Sequence, residues 1–137
     1  TNYIDWYELD PEIVESCYRH LPTVCSKVKK SNTVNTFWGD AFESIKLVED
    51  SKYDKIFVDL NDDQYCIDLA RKNMKALKRI LKPGGVITAQ VGSKDKKPKQ
   101  VENWCKVLEK SFGNVNVSAV HIPSFDCNWN FASSIMK

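Results

Sequence analysis

The strongest constraint on the fold of this chain is an alternation of two periodicities. "YIDWYEL" (residues 3–9) is a short apolar run suited to a buried strand, and it stops at "DPE", where Asp10 can cap a helix whose first residue is Pro11. Ile13, Val14, Cys17, Tyr18 and Leu21 then recur at helical spacing, and the helix is expected to end before Pro22. "NTVNTFW" (32–38) alternates as a second strand, Gly39 and Asp40 turn the chain, and Phe42, Ile45 and Val48 mark a short amphipathic helix. "YDKIFVDL" (53–60) is a third strand, β-branched and apolar toward its end.

Beyond the polar "NDDQ" the spacing of Ile67, Ala70, Met74, Leu77 and Leu81 predicts a longer helix with one buried face. "KPGG" should end it, because Pro83 cannot continue a helix and the glycines can take positive φ. "GVITAQVG" (85–92) is the fourth strand. A basic loop, "SKDKKPK", is expected to be a solvated turn leading to a helix with Val101, Trp104, Cys105, Leu108 and Phe112 on one face. "NVNVSAVHI" (114–122) and "WNFASSIM" (129–136) close the chain as two further strands.

Strands separated by helices need crossover connections, hence a mainly parallel sheet covered on both faces. The last two strands are joined without a helix, so they should pair antiparallel at one edge. No repeat, low-complexity tract or linker divides the sequence, and one α/β domain over residues 1–137 is expected.

Composition limits the partners. Twenty basic against eighteen acidic side chains leave a net charge of +2, too little to call for a nucleic-acid or membrane surface. No apolar run approaches the roughly 20 residues needed to cross a bilayer, so a soluble, cytoplasmic domain is expected. The five cysteines form no C-x-x-C pair, and His20 and His121 stand at no ligand spacing, so neither a metal site nor a disulfide framework is expected. Cys17 and Cys105 are expected on buried helix faces.

Ligands of such sheets bind at the carboxyl ends of the strands. Here the first strand ends in Glu8, the second in "GDA" with Asp40, the third in Asp59 followed by Asp62 and Asp63, and the fourth in Gln90. Glu8 is placed to accept both ribose hydroxyls of a nucleoside, and Asp40 to accept from an exocyclic adenine amine. The remaining carboxylates repel phosphate and favour a cation, so the second substrate is expected to be an amine.

"YELDPEIVE", "WGDAFE", "YDKIFVDLND", "LKRILKPGGVITAQVGS" and "HIPSFDCNWNFASS" resemble, in order, motifs of the spermidine synthases. "LKPGG" before a strand is common to the class I S-adenosylmethionine-dependent methyltransferases; the I-P-S-F, W-x-F and T-x-Q-x-G-S patterns are more specific. The resemblance implies a Rossmann-like fold of the class I methyltransferase type and transfer of an aminopropyl group from decarboxylated S-adenosylmethionine to putrescine or a related polyamine. It implies no tightly bound cofactor, 5′-methylthioadenosine as product, and a homo-oligomer.

The resemblance also carries roles. Glu8, Asp40 and Ala41 match residues that hold the nucleoside, and Asp59 and Asp62 match the catalytic acids of a D-x-x-D motif. Gln90, Phe125 and Trp129 fall where the acceptor amine is lined. Asp63 stands where the family usually has Pro, and Phe125 where many relatives have Tyr. The chain opens at the family's second strand, so its first strand, Gly-rich loop and N-terminal β-domain are expected to be missing and the site incomplete. A methyltransferase using ordinary S-adenosylmethionine, and a non-catalytic relative, are the competing readings.

Overall fold

The computed structural model describes residues 3–61 and 63–137, which divide into two compact units, one ending at Leu47 and one running from Val48 to Lys137. In the first, β1 (Ile4–Glu8) lies parallel to β2 (Val34–Trp38), in register from Ile4↔Val34 to Glu8↔Trp38. Tyr7 and Phe37 are partners in that ladder and their rings stack at 5.0 Å. The crossover holds two helices, α1 (Pro11–His20) and α2 (Pro22–Lys29). α1 begins as its sequence predicts, with Asp10 accepting from the Glu12 N–H at 2.9 Å and Pro11 in the first turn.

α2 is unexpected from the sequence. Pro22 ends α1 but also opens the next helix, at a position where its missing N–H costs nothing. Leu21, Val24, Cys25 and Val28 do recur at helical spacing, but the helix is short and none of its residues is buried, so Pro22 reads in the sequence as a stop and not as a new start. The short helix after β2 is one α-helical turn, α3 (Ala41–Ser44), continued by a 3-10 turn (Ile45–Leu47). Phe42 and Ile45 point inward as expected and are buried with Val14, whereas Leu47 is 91% exposed.

The second unit is a four-stranded sheet in the order β3 (Tyr53–Val58), β4 (Leu81–Gly92), β6 (Cys127–Ile135), β5 (Asn116–Ile122). β3 and β4 are parallel, β6 runs against β4, and β5 runs against β6. Only β6 therefore opposes the other three. The closing antiparallel pair is as expected, with β5 at the edge and β6 inserted beside β4. The connecting helices α4 (Gln64–Ile80) and α5 (Pro98–Phe112) pack on each other and on the sheet.

Their buried faces, Ile67, Ala70, Met74, Leu77 and Ile80 on α4 and Val101, Trp104, Val107, Leu108 and Phe112 on α5, meet Val58, Ile87, Ala89, Val91 and Ala132. Within this unit both helices cover the same face, contrary to the expectation of a sheet covered on both. The two crossovers, β3 to β4 and β4 to β5, progress in one direction along the sheet, and right-handed crossovers that do so place their helices on one side. Phe57, on the opposite side of β3, is 74% exposed.

The junction of α4 and β4 also differs from expectation. α4 stops at Ile80 and Leu81 is already extended, pairing with Tyr53, so "KPGG" lies inside β4. Gly84 takes φ +75° and donates to the Met136 carbonyl at 2.8 Å, and Gly85 accepts from the Met136 N–H at 2.9 Å. Leu81 keeps its expected burial while leaving the helix. None of the five cysteines is in a disulfide and all are half-buried, Cys17 and Cys105 included, so those two sit at the margins of their helix faces. Among the described residues no helix is long and apolar enough to cross a membrane.

Candidate functional site

In the first unit two acidic side chains stand at neighbouring strand ends. Glu8 closes β1, and its backbone carbonyl accepts from the Gly39 N–H at 2.9 Å. Gly39 turns the chain with φ +114°; a Cβ there would meet nothing within 4 Å, so backbone conformation and not space selects glycine. Asp40 follows and caps α3, its Oδ1 accepting from Phe42 N at 2.7 Å and Glu43 N at 3.4 Å. Ala41, half-buried, is the first residue of that helix.

Each acid spends one oxygen on local structure. Glu8 Oε1 accepts from Asp10 N at 3.0 Å, as Asp40 Oδ1 accepts from the helix start. Among the described residues Glu8 Oε2 and Asp40 Oδ2 accept from nothing, which leaves one carboxylate oxygen on each for a ligand's hydroxyl or amino donors.

In the second unit the ends of β3 and β4 and the β5–β6 turn are tied together. Asp59, exposed, is the first residue beyond β3. The carbonyl of the next residue, Leu60, accepts from Gln90 Nε2 in a short hydrogen bond. Gln90 Oε1 accepts from the indole Nε1–H of Trp129 at 2.7 Å. Trp129 in turn lies against Phe125, with ring centroids 4.7 Å apart and planes tilted by 50°. Phe125 ends a 3-10 turn, Pro123–Phe125, closed by Asp126 at φ +48°.

Gln90, Phe125 and Trp129 are thus brought together, and Gln90 reaches the backbone beside Asp59. Asp62 lies outside the described residues. Asp63 caps α4, its Oδ1 accepting from Cys66 N at 2.8 Å, and that hydrogen bond holds its carboxyl below the usual range.

Two further residues belong to this region that the sequence did not single out. Lys96 Nζ donates to the Phe125 carbonyl at 3.1 Å, so the basic loop, exposed over residues 94–99 as expected, also reaches the aromatic turn. Buried Asn130 accepts from Lys94 N at 2.8 Å and anchors the start of the same loop. These bonds span 29 and 36 residues, so local pattern cannot show them. Asn130 alone left a trace, as a polar residue at an inward position of an alternating strand. A depression of about 540 Å³ is lined by Gln64, Asn103 and residues 96–100; neither Asp59 nor the aromatic pair borders it.

The alternation of strands and crossover helices is that of a Rossmann-like α/β fold of the class I methyltransferase type, as the motifs implied and as the following matches show. The fold matches a spermidine synthase crystallised with the transition state analogue AdoDATO (TM-score 0.87, 14% identity, covering 100% of this chain and 47% of that one). It also matches the spermidine synthase of Thermotoga maritima (TM-score 0.84, 15% identity, 99% and 46%).

The family model described as spermine/spermidine synthase domain matches residues 2–137, and the chain belongs to that family. A polyamine aminopropyltransferase of Prochlorococcus marinus (strain NATL2A) is 30% identical over 139 residues, covering 95% of this chain and 47% of its own. One from Korarchaeum cryptofilum is 21% identical over 127 residues, with 91% and 39% covered. The chain spans about half the length of the curated relatives it matches.

Proposed function

We propose that this chain is the catalytic part of an aminopropyltransferase, moving the aminopropyl group of decarboxylated S-adenosylmethionine to putrescine or a related polyamine. The observation that carries the reading is the tie between the Asp59 loop and an aromatic pair, Leu60–Gln90–Trp129–Phe125, in a member of this family. Because the family model spans both compact units, we read residues 1–137 as belonging to one catalytic domain.

The chemistry assigns each residue a task. Glu8 accepts from the ribose and Asp40, beside Ala41, from the adenine. The acceptor nitrogen attacks the carbon next to the sulfonium, a C–N bond forms as the C–S bond breaks, the electron pair leaves on sulfur, and 5′-methylthioadenosine departs. An alkylammonium titrates near pH 10.4, so only about one molecule in 2,500 is neutral at pH 7. Asp59 takes the proton as the bond forms, which lifts most of that penalty. Asp62, by its place in the motif, holds an ammonium of the acceptor in line with the leaving sulfur, where fixed geometry supplies much of the rate.

The half-exposed rings of Phe125 and Trp129 offer an apolar wall to the methylenes of a diamine. No tightly bound cofactor is required, and the reading carries a cytoplasmic location and a homo-oligomeric enzyme. Calorimetry with decarboxylated and ordinary S-adenosylmethionine and with 5′-methylthioadenosine tests it. Preference for the decarboxylated form supports it; preference for ordinary S-adenosylmethionine makes the protein a methyltransferase, and binding of none makes it a non-catalytic relative.

A further inference from the structure

We infer that Gln90 acts in this reaction as a positioning residue, setting the distance between the Asp59 loop and the Trp129 wall, and is not a direct ligand of the amine. The inference rests on the aminopropyltransferase reading above. Gln90 lies at the carboxyl end of β4, between the strand that leads into Leu60 and the strand that carries Trp129. Its ladder partner on β6 is Phe131, and Trp129, two residues away, shares that side of the strand.

A side-chain amide offers one acceptor oxygen and two N–H donors. The oxygen receives the indole N–H of Trp129, and the nitrogen donates to the Leu60 carbonyl. What remains is one N–H, which an ammonium cannot use, and one lone pair on an oxygen already engaged. That is a poor site for a cationic or a nucleophilic amine. As a bracket the same group is well placed, because it joins the backbone next to the proton acceptor to the ring against which the methylenes lie.

The other end of the wall is held independently, through Lys96 and the Phe125 carbonyl. The Trp129–Gln90 contact spans 39 residues and the Gln90–Leu60 contact 30, so one side chain couples three segments distant in sequence. Misplacement of a reacting group by about 1 Å can cost about 10²-fold in rate. Loss of the bracket therefore appears in the chemical step and not in amine affinity.

The test uses Gln90→Met, which keeps the length of the side chain and removes both hydrogen bonds, together with Trp129→Phe and the double variant. Steady-state transfer to putrescine is measured in a chain that also carries the N-terminal part of its relatives, along with the NMR signal of the Trp129 indole N–H. Gln90→Met is expected to lower kcat by about 10- to 10²-fold with KM for putrescine within a few-fold of the parent. It should also shift the indole signal. The double variant should be no slower than Gln90→Met, since both changes cut one connection.

A raised KM at unchanged kcat would make Gln90 an amine ligand and overturn the inference, and so would losses that multiply in the double variant. An indole signal unmoved by Gln90→Met overturns the bracket itself. A parent enzyme that transfers no aminopropyl group overturns the functional reading and this role with it. The indole signal does not depend on turnover, so it tells those two failures apart.

Discussion

The N–H of Gly39 donates to the carbonyl of Glu8 at 2.9 Å, carrying the parallel pairing of β1 and β2 one residue past the Glu8↔Trp38 partners. Asp40 therefore follows directly on a fixed strand end, and its carboxylate is positioned by the same helix start that it caps. A structural and a functional role coincide in one side chain, and the two can be separated.

Asp40→Ala should remove the cap of α3 and destabilise the fold by about 1 kcal/mol, while Asp40→Asn, which caps comparably, should leave the melting temperature within error. Binding of 5′-methylthioadenosine, followed by calorimetry, should be lost in the alanine variant. Nucleoside affinity equal to the parent's in Asp40→Ala would remove Asp40 from the nucleoside site.

In a chain that also carries the N-terminal part of its relatives, Asp59→Asn should leave nucleoside binding unchanged and lower turnover by about 10²- to 10⁴-fold, the usual contribution of a positioned general base. Asp59 is exposed and has no hydrogen-bond partner among the described residues, so the substitution removes no internal contact and folding should be unaffected. Parallel measurement of calorimetric affinity and product formation separates the two effects. Turnover equal to the parent's would take Asp59 out of the mechanism.

Asp63 ties stability to pH. The Cys66 N–H lowers its pKa from the ordinary value of 3.8, so the folded state binds its proton less readily than the unfolded chain. The stabilisation is fully present above 3.8 and disappears as the pH falls through the lower, folded-state value. Asp63→Asn retains an uncharged cap and should flatten the acid limb of a plot of melting temperature against pH. An acid limb identical to the parent's would show that other carboxylates set it.

Leu108 is fully buried on α5, and Leu108→Ala should cost about 2–5 kcal/mol of unfolding free energy in denaturant titrations. Phe57→Ala, on the uncovered side of β3, should change stability far less, because its ring is 74% exposed. Comparable losses at the two positions would mean that the Phe57 face is covered in solution.

The strands and long helices were legible because their signals are local. The apolar stripes of α4 and α5 recur within a turn or two, and the Asp10–Pro11 start of α1 is written in adjacent residues. α2 was missed although Leu21, Val24, Cys25 and Val28 stand at helical spacing, because Pro22 reads as the end of α1 and the same residue opens the next helix. Leu81 misled for a related reason: its burial satisfies the helix pattern of α4, yet it is satisfied from the first position of β4.

Of the candidate site, the residue types at the strand ends, Glu8, Asp40, Asp59 and Gln90, were readable from pattern, and their family likeness from motif. How each side chain is spent was not. That Gln90 is committed to Leu60 and Trp129, that Lys96 holds Phe125, and that Asn130 anchors the basic loop follow from contacts across 29 to 39 residues.

Sequence alone thus determined the order of the strands and of the longer helices, the acidic strand ends and the family, because hydrophobic period, capping and turn chemistry act between near neighbours in the chain. The tertiary structure alone decided that α4 and α5 share one face, that β6 enters beside β4, and that the aromatic turn is fastened to the Asp59 loop. Those outcomes depend on the handedness of crossovers and on hydrogen bonds between segments remote in sequence, and both exist only once the sheet has formed.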